Sequence, residues 1–128
     1  MQIADTRPIW IQLVDDFRQR IVSGQWPAGS RIPSVRELAV DTGVNPNTVQ
    51  RALGELDRTG LTCAERTAGR YVTAKASVLD AARRELAVSA TDTYIAAVAM
   101  LGMDLNQACQ ALEQRWPTAA PKATGETS

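Results

Sequence analysis

The sequence predicts a mainly α-helical chain with one small β-hairpin, followed by a short helical segment and a tail. Three patterns point there. Apolar residues recur at helical spacing in three stretches between residues 8 and 60. The second and third of these are short and meet at a glycine. Two strand-like runs, LTCAE and RYVTA, then follow with only RTAG between them.

The first helix is predicted over Pro8 to Val22, with Ile9, Leu13, Phe17 and Ile21 spaced by four along one face. Pro8 suits its first turn and Gly24 its exit. The connector QWPAGSRIPS holds two prolines and a glycine, and has room for at most a short strand near Arg31 and Ile32. Ser34 followed by Glu37 fits a capping box and opens the second helix, which carries Val35, Leu38 and Ala39 inward and closes at Gly43 in a left-handed cap. Val44 is expected to be a buried turn residue. Asn45 reads as the next N-cap and Pro46 as the first helical residue. Val49, Ala52, Leu53 and Leu56 then form the inward stripe of a helix that runs toward Gly60. In the hairpin, alternation places Leu61 and Cys63 on one face, where Val72 can meet them. Two short helices about a glycine turn form a helix-turn-helix, and a hairpin directly behind them is a wing. Residues 1–75 therefore read as a winged helix-turn-helix.

Past Lys75 the composition shifts to alanine-rich helix. Val78, Leu79, Ala82 and Leu86 begin a stripe, Ile95, Val98, Ala99 and Leu101 continue on another face, and Gly102 ends the helix. Asp104 with Gln107 offers a second capping box, opening a helix with Leu105, Ala108, Cys109, Leu112 and Trp116 on its apolar side, which Pro117 is expected to stop. A segment over 76–117 with so few large apolar residues cannot close a core of its own, so it is expected to bury its stripe against a second copy as a dimerisation segment. Residues 118–128 lack large apolar side chains and read as a mobile tail.

Composition narrows the function classes. The chain of 128 residues has 45% hydrophobic and 22% charged residues, as a soluble globular protein does. Neither a secretion signal nor a membrane-spanning run is present, so a cytoplasmic location with no membrane partner is expected. With no histidine and two cysteines 46 residues apart, the usual zinc spacings and the commonest general base are missing; no metal, cofactor or catalytic set is expected, and the chain does not read as an enzyme. Each cysteine is expected to be a small buried apolar residue. The formal net charge is zero, yet residues 1–77 carry 10 Lys+Arg against 8 Asp+Glu, and nine of those cations are arginines. Arginine's planar fork suits phosphates and base edges.

The third helix opens on NPNTVQR, several short or flexible hydrogen-bonding side chains where a simple cap needs one. With the inward stripe fixed, Asn47, Arg51 and Arg58 fall nearly opposite it, flanked by Thr48 and Gln50. In a helix-turn-helix this is the end that meets base edges. The reading is double-stranded DNA recognition; the alternative, for which zero net charge speaks, is a winged-helix module that binds protein.

The run GSRIPSVRELAVDTGVNPNTVQRALGELDRTGL followed by ERTAGRYV resembles the GntR family of bacterial transcription regulators over about residues 8–73. The short C-terminal segment resembles that of the YtrA-like subfamily, whose C-terminal part serves dimerisation. The resemblance implies a homodimeric repressor that acts on an inverted repeat. It further implies that Arg36, the turn through Asn45, Asn47 and Thr48, and Gln50 or Arg51 approach DNA while the wing tip enters the minor groove. The wing reads Arg66-Thr67-Ala68-Gly69-Arg70-Tyr71-Val72 where many family wings read R-G-x-G-x-F-V, so Arg66, Thr67, Gly69 and Arg70 complete the candidate set. A small-molecule effector is left open; two helices leave little room for one within a single subunit.

Overall fold

In the computed structural model, residues 5–65 and 68–119 are described. Helix α1 spans Ile9–Val22, α2 Val35–Thr42 and α3 Pro46–Arg58; strands β1 (Thr62–Glu65) and β2 (Gly69–Val72) form the hairpin; α4 spans Ala76–Met100 and α5 Leu105–Ala119. The chain divides into two compact units at Leu86/Ala87.

The first unit is built around α3, whose Val49, Ala52, Leu53 and Leu56 are each 0% exposed. Leu13, Phe17 and Ile21 of α1, Leu38 of α2, and Leu61 and Val72 at the hairpin join them in one core. Ile9 does not; it is 43% exposed, while Gln12 and Val14 are buried. A spacing of four overshoots the helical turn by about 40° at each step, so a stripe of such spacing rotates away from the core. The connector adds two core residues, Trp26 and Ile32. Trp26 lies 5.4 Å from Phe17 ring to ring, and the Arg20 guanidinium caps both rings. An isolated bridge, Arg31 to Tyr71, is the short strand the connector had room for.

Local chemistry bounds α2 and opens α3 as the sequence predicts. Ser34 and Glu37 make both bonds of the capping box, at 3.1 and 3.0 Å, and Gly43 closes α2 at φ 71°. Asn45 accepts from the Asn47 amide at 2.8 Å to open α3 on Pro46.

The hairpin corrects one expectation. Its register pairs Thr62 with Val72 and Cys63 with Tyr71, so Thr62 is buried and Cys63 exposed. Alternation begins at Thr62 because Leu61 still belongs to the bend after Gly60, and counting from Leu61 assigns the wrong parity.

The first unit reaches past the boundary expected at residue 75. Ala82 is buried, and Val78 and Leu79 pack on the same core. Arg18 pairs with Glu85, and the Arg83 guanidinium donates to the Val22 carbonyl at 3.0 Å.

In the second unit Asp104 and Gln107 close their capping box at 2.9 and 3.0 Å, and the Tyr94 hydroxyl donates to the Ala108 carbonyl at 2.6 Å. Cys109 is exposed, not buried, and among the described residues no side chain of α5 belongs to the buried core. Pro117 does not stop α5, which continues to Ala119; one missing amide does not halt a final turn. Positions 118 and 119 of the expected tail are thus helical, and 120–128 lie outside the described residues.

Candidate nucleic-acid interface

Helices α2 and α3 present the candidate residues from two short, firmly capped elements. On α3 the four buried residues fix the helix, and Asn47, Gln50 and Arg51 are left exposed on its outer side. Thr48 is half-buried at the edge of that face. Arg36 is exposed in the first turn of α2. Asn45 is exposed too, but its side-chain oxygen is engaged by the cap. The polar entrance of α3 therefore divides its labour: Asn45 holds the helix end, and Asn47 and Gln50 keep their side chains unbonded within the described residues.

The hairpin meets this surface beside the start of α2. A cleft of about 360 Å3 is lined by Ser34, Gln50, Glu65, Gly69 and Arg31, among others. Gly69 opens β2 at φ 95°, a conformation that suits glycine. A Cβ there would stand 2.6 Å from Arg31 Nε, so the missing side chain is also the space in which Arg31 lies. Arg66 and Thr67, at the expected wing tip, are outside the described residues.

Arg70 is not presented for recognition in this arrangement. Its Nε and Nη2 donate to the Asp57 carboxylate at 3.0 and 2.9 Å, and its side chain is 15% exposed. The buried Thr62 hydroxyl donates to the same carboxylate at 2.5 Å. Asp57 of α3 thus ties both strands of the hairpin to the helix.

Ion pairs take up most of the arginines in the first unit. Arg7 pairs with Asp5 and Asp15, Arg18 with Glu85, Arg20 with Asp16 and Asp41, Arg58 with Glu55, and Arg70 with Asp57. Arg58, which the helical wheel sets beside Asn47 and Arg51, is therefore occupied, and its hydrogen bonds hold the Glu55 carboxyl below the usual range. Among the described residues from α1 to β2, the arginines without a salt bridge are Arg31, Arg36 and Arg51. The acidic side chains neutralise the other arginines, and the Arg31 charge acts on the nearby Glu37 carboxylate, which leaves Arg36 and Arg51 without an acidic partner among the described residues.

Three contributors are absent from the sequence-based set. Arg31 acts through Gly69, 38 residues on, and Asp57 through Thr62 and Arg70, 5 and 13 residues on. Trp10 of α1 lies under the Arg51 guanidinium, 4.2 Å from carbon to ring centre. Local spacing carries no signal for such pairs.

Helix-turn-helix, tethered hairpin and uncompensated arginines together define a winged-helix DNA-binding protein. The model of the bacterial regulatory proteins of the gntR family matches residues 11–72. The chain is 32% identical over 102 residues to the HTH-type transcriptional regulator YhcF of Bacillus subtilis, covering 80% of this chain and 84% of that one. It is 38% identical over 69 residues to the HTH-type transcriptional repressor YtrA of the same organism, over 54% of this chain and 53% of the relative. A solved GntR family transcriptional regulator from Listeria monocytogenes superposes with a TM-score of 0.77 at 31% identity, covering 88% of this chain and 98% of its own. AraR(DBD), solved in complex with operator ORX1, superposes with a TM-score of 0.52 at 25% identity over 57% of this chain and 92% of its own. The chain belongs to the GntR family and is a YtrA-like, DNA-binding transcription regulator. It belongs among regulators, not enzymes. Among the described residues, no single helix is long and apolar enough to cross a membrane.

Proposed function

We propose that this chain is a homodimeric, sequence-specific repressor that binds an inverted-repeat operator, with α3 in the major groove. The observation that carries the reading is the outward face of α3, where Asn47, Gln50 and Arg51 stand exposed on a helix fixed by four fully buried residues. Base edges are read by side chains of these types, and phosphates by arginines such as Arg36. Arg66, Thr67 and Gly69 are assigned to the wing's approach to the minor groove, and Arg70 to bracing that wing. Zero net charge speaks for a protein-binding module, whereas Arg36 and Arg51, which make no salt bridge among the described residues, speak for DNA.

The dimer is supported by the second unit. Val88, Ile95, Met100, Leu101, Leu105, Leu112 and Trp116 are all exposed, Met100 to 89%. Side chains of this kind on one short segment suit burial against a second copy. The repressor role is supported by the name of the relative YtrA.

The test is selection of duplexes from a random-sequence pool, followed by gel shifts at two salt concentrations. An enriched palindromic sequence, bound by two chains and more tightly than a scrambled duplex, is the expected result. Enrichment of an asymmetric site bound by one chain would refute the homodimer.

A further inference from the structure

Trp10 stands in the first turn of α1, half-buried, with its ring packed against the core. The Arg51 guanidinium carbon is 4.2 Å from the centre of that ring, well within the roughly 6 Å reach of a cation–π contact. No hydrogen bond or salt bridge competes for Arg51 among the described residues. The helix beneath it cannot yield, because Val49, Ala52 and Leu53 around it are each 0% exposed. The aromatic face therefore sets where this guanidinium sits.

We propose that Trp10, which touches no base in this reading, is a positioning residue for DNA recognition: its ring holds Arg51 in one place on the outer side of α3. Arginine is rich in rotamers, and ordering it before encounter lowers the cost of ordering it on DNA. Tryptophan is the ring that binds a cation best, so a smaller aromatic should hold Arg51 less firmly. The inference rests on the reading of Arg51 as a base-contacting residue.

The experiment uses the full chain and a duplex selected from a random pool, with a scrambled duplex as reference. Five proteins are compared: parent, Trp10→Leu, Trp10→Phe, Arg51→Ala, and Trp10→Leu with Arg51→Ala. Trp10→Leu should lower the preference for the selected duplex by about 2- to 5-fold per half-site, and Trp10→Phe by less. In the Arg51→Ala background, Trp10→Leu should change the preference no further. Trp10→Phe retains the bulk of the ring, so it reports on positioning even where the leucine variant is destabilised. Full persistence of the Trp10→Leu effect without Arg51 would overturn the proposal, since Trp10 would then act through packing alone. So would a Trp10→Leu protein with the parent's preference. If Arg51→Ala itself leaves preference intact, the base-contact reading of Arg51 fails and the proposal falls with it; that result differs from the first, in which Arg51→Ala weakens binding.

Discussion

Asn47 and Arg36 should fail in different ways. Asn47 stands on the exposed face of α3, so Asn47→Ala should cost about 1–3 kcal/mol per base contact on the selected duplex and leave scrambled DNA bound as before. Arg36 carries an uncompensated charge on the first turn of α2. Arg36→Ala should weaken binding to every duplex and flatten the slope of log affinity against log salt by about 0.9 for each phosphate that Arg36 neutralises. Titrations of both variants across a salt series separate the two behaviours. At this scale the sequence is most legible where a side chain acts on its own backbone: Ser34, Gly43 and Asn45 are identified because a cap needs only the next few residues. It is least legible where the partner is remote. Arg70 follows the pattern of a wing cation, and only the fold reveals that Asp57, thirteen residues earlier, holds it.

The short α2 depends on its cap, since eight residues offer little helical stability of their own. Ser34→Ala should therefore destabilise the protein by about 0.5–2 kcal/mol, read from denaturant titration. The cap also sets a pH response. Accepting the Ser34 backbone amide holds the Glu37 carboxyl below its ordinary value of 4.5. A lowered folded-state pKa contributes stability above the ordinary value, and that contribution is lost as pH falls through the lowered one. Glu37→Gln can keep the box while removing the titration, so its melting temperature should fall less steeply than the parent's under acid below about pH 4.5. Helices α1 to α3 are legible in the sequence because each has an apolar stripe, and α2 and α3 a side-chain cap as well. The hairpin register is not, since four-residue strands give alternation too few positions to fix its phase against a buried residue in the preceding bend. Nor is the reach of α5 past Pro117, which depends on no rule stronger than a preference.

As a whole molecule the chain should separate into a part that folds alone and a part that assembles. Because Val78, Leu79 and Ala82 belong to the first core, a fragment ending at Leu86 should be a folded monomer, whereas one ending at Lys75 should melt lower. Light scattering and thermal melts of the two fragments check this, and a dimeric fragment ending at Leu86 would contradict it. In the full chain, Leu105→Glu with Trp116→Glu should give monomers that keep the first unit folded, because both side chains are exposed among the described residues. Net charge sums over all pairs, and only the fold reveals which arginines the acids have claimed. The carboxylate of Asp57 has a last consequence, in heat and not in geometry. By tying β1 and β2 to α3 it moves the ordering of these strands from the binding step to the folding step. Asp57→Ala should defer that ordering until DNA arrives. Calorimetry on the selected duplex should then show a less favourable entropy and a more negative heat-capacity change than the parent gives.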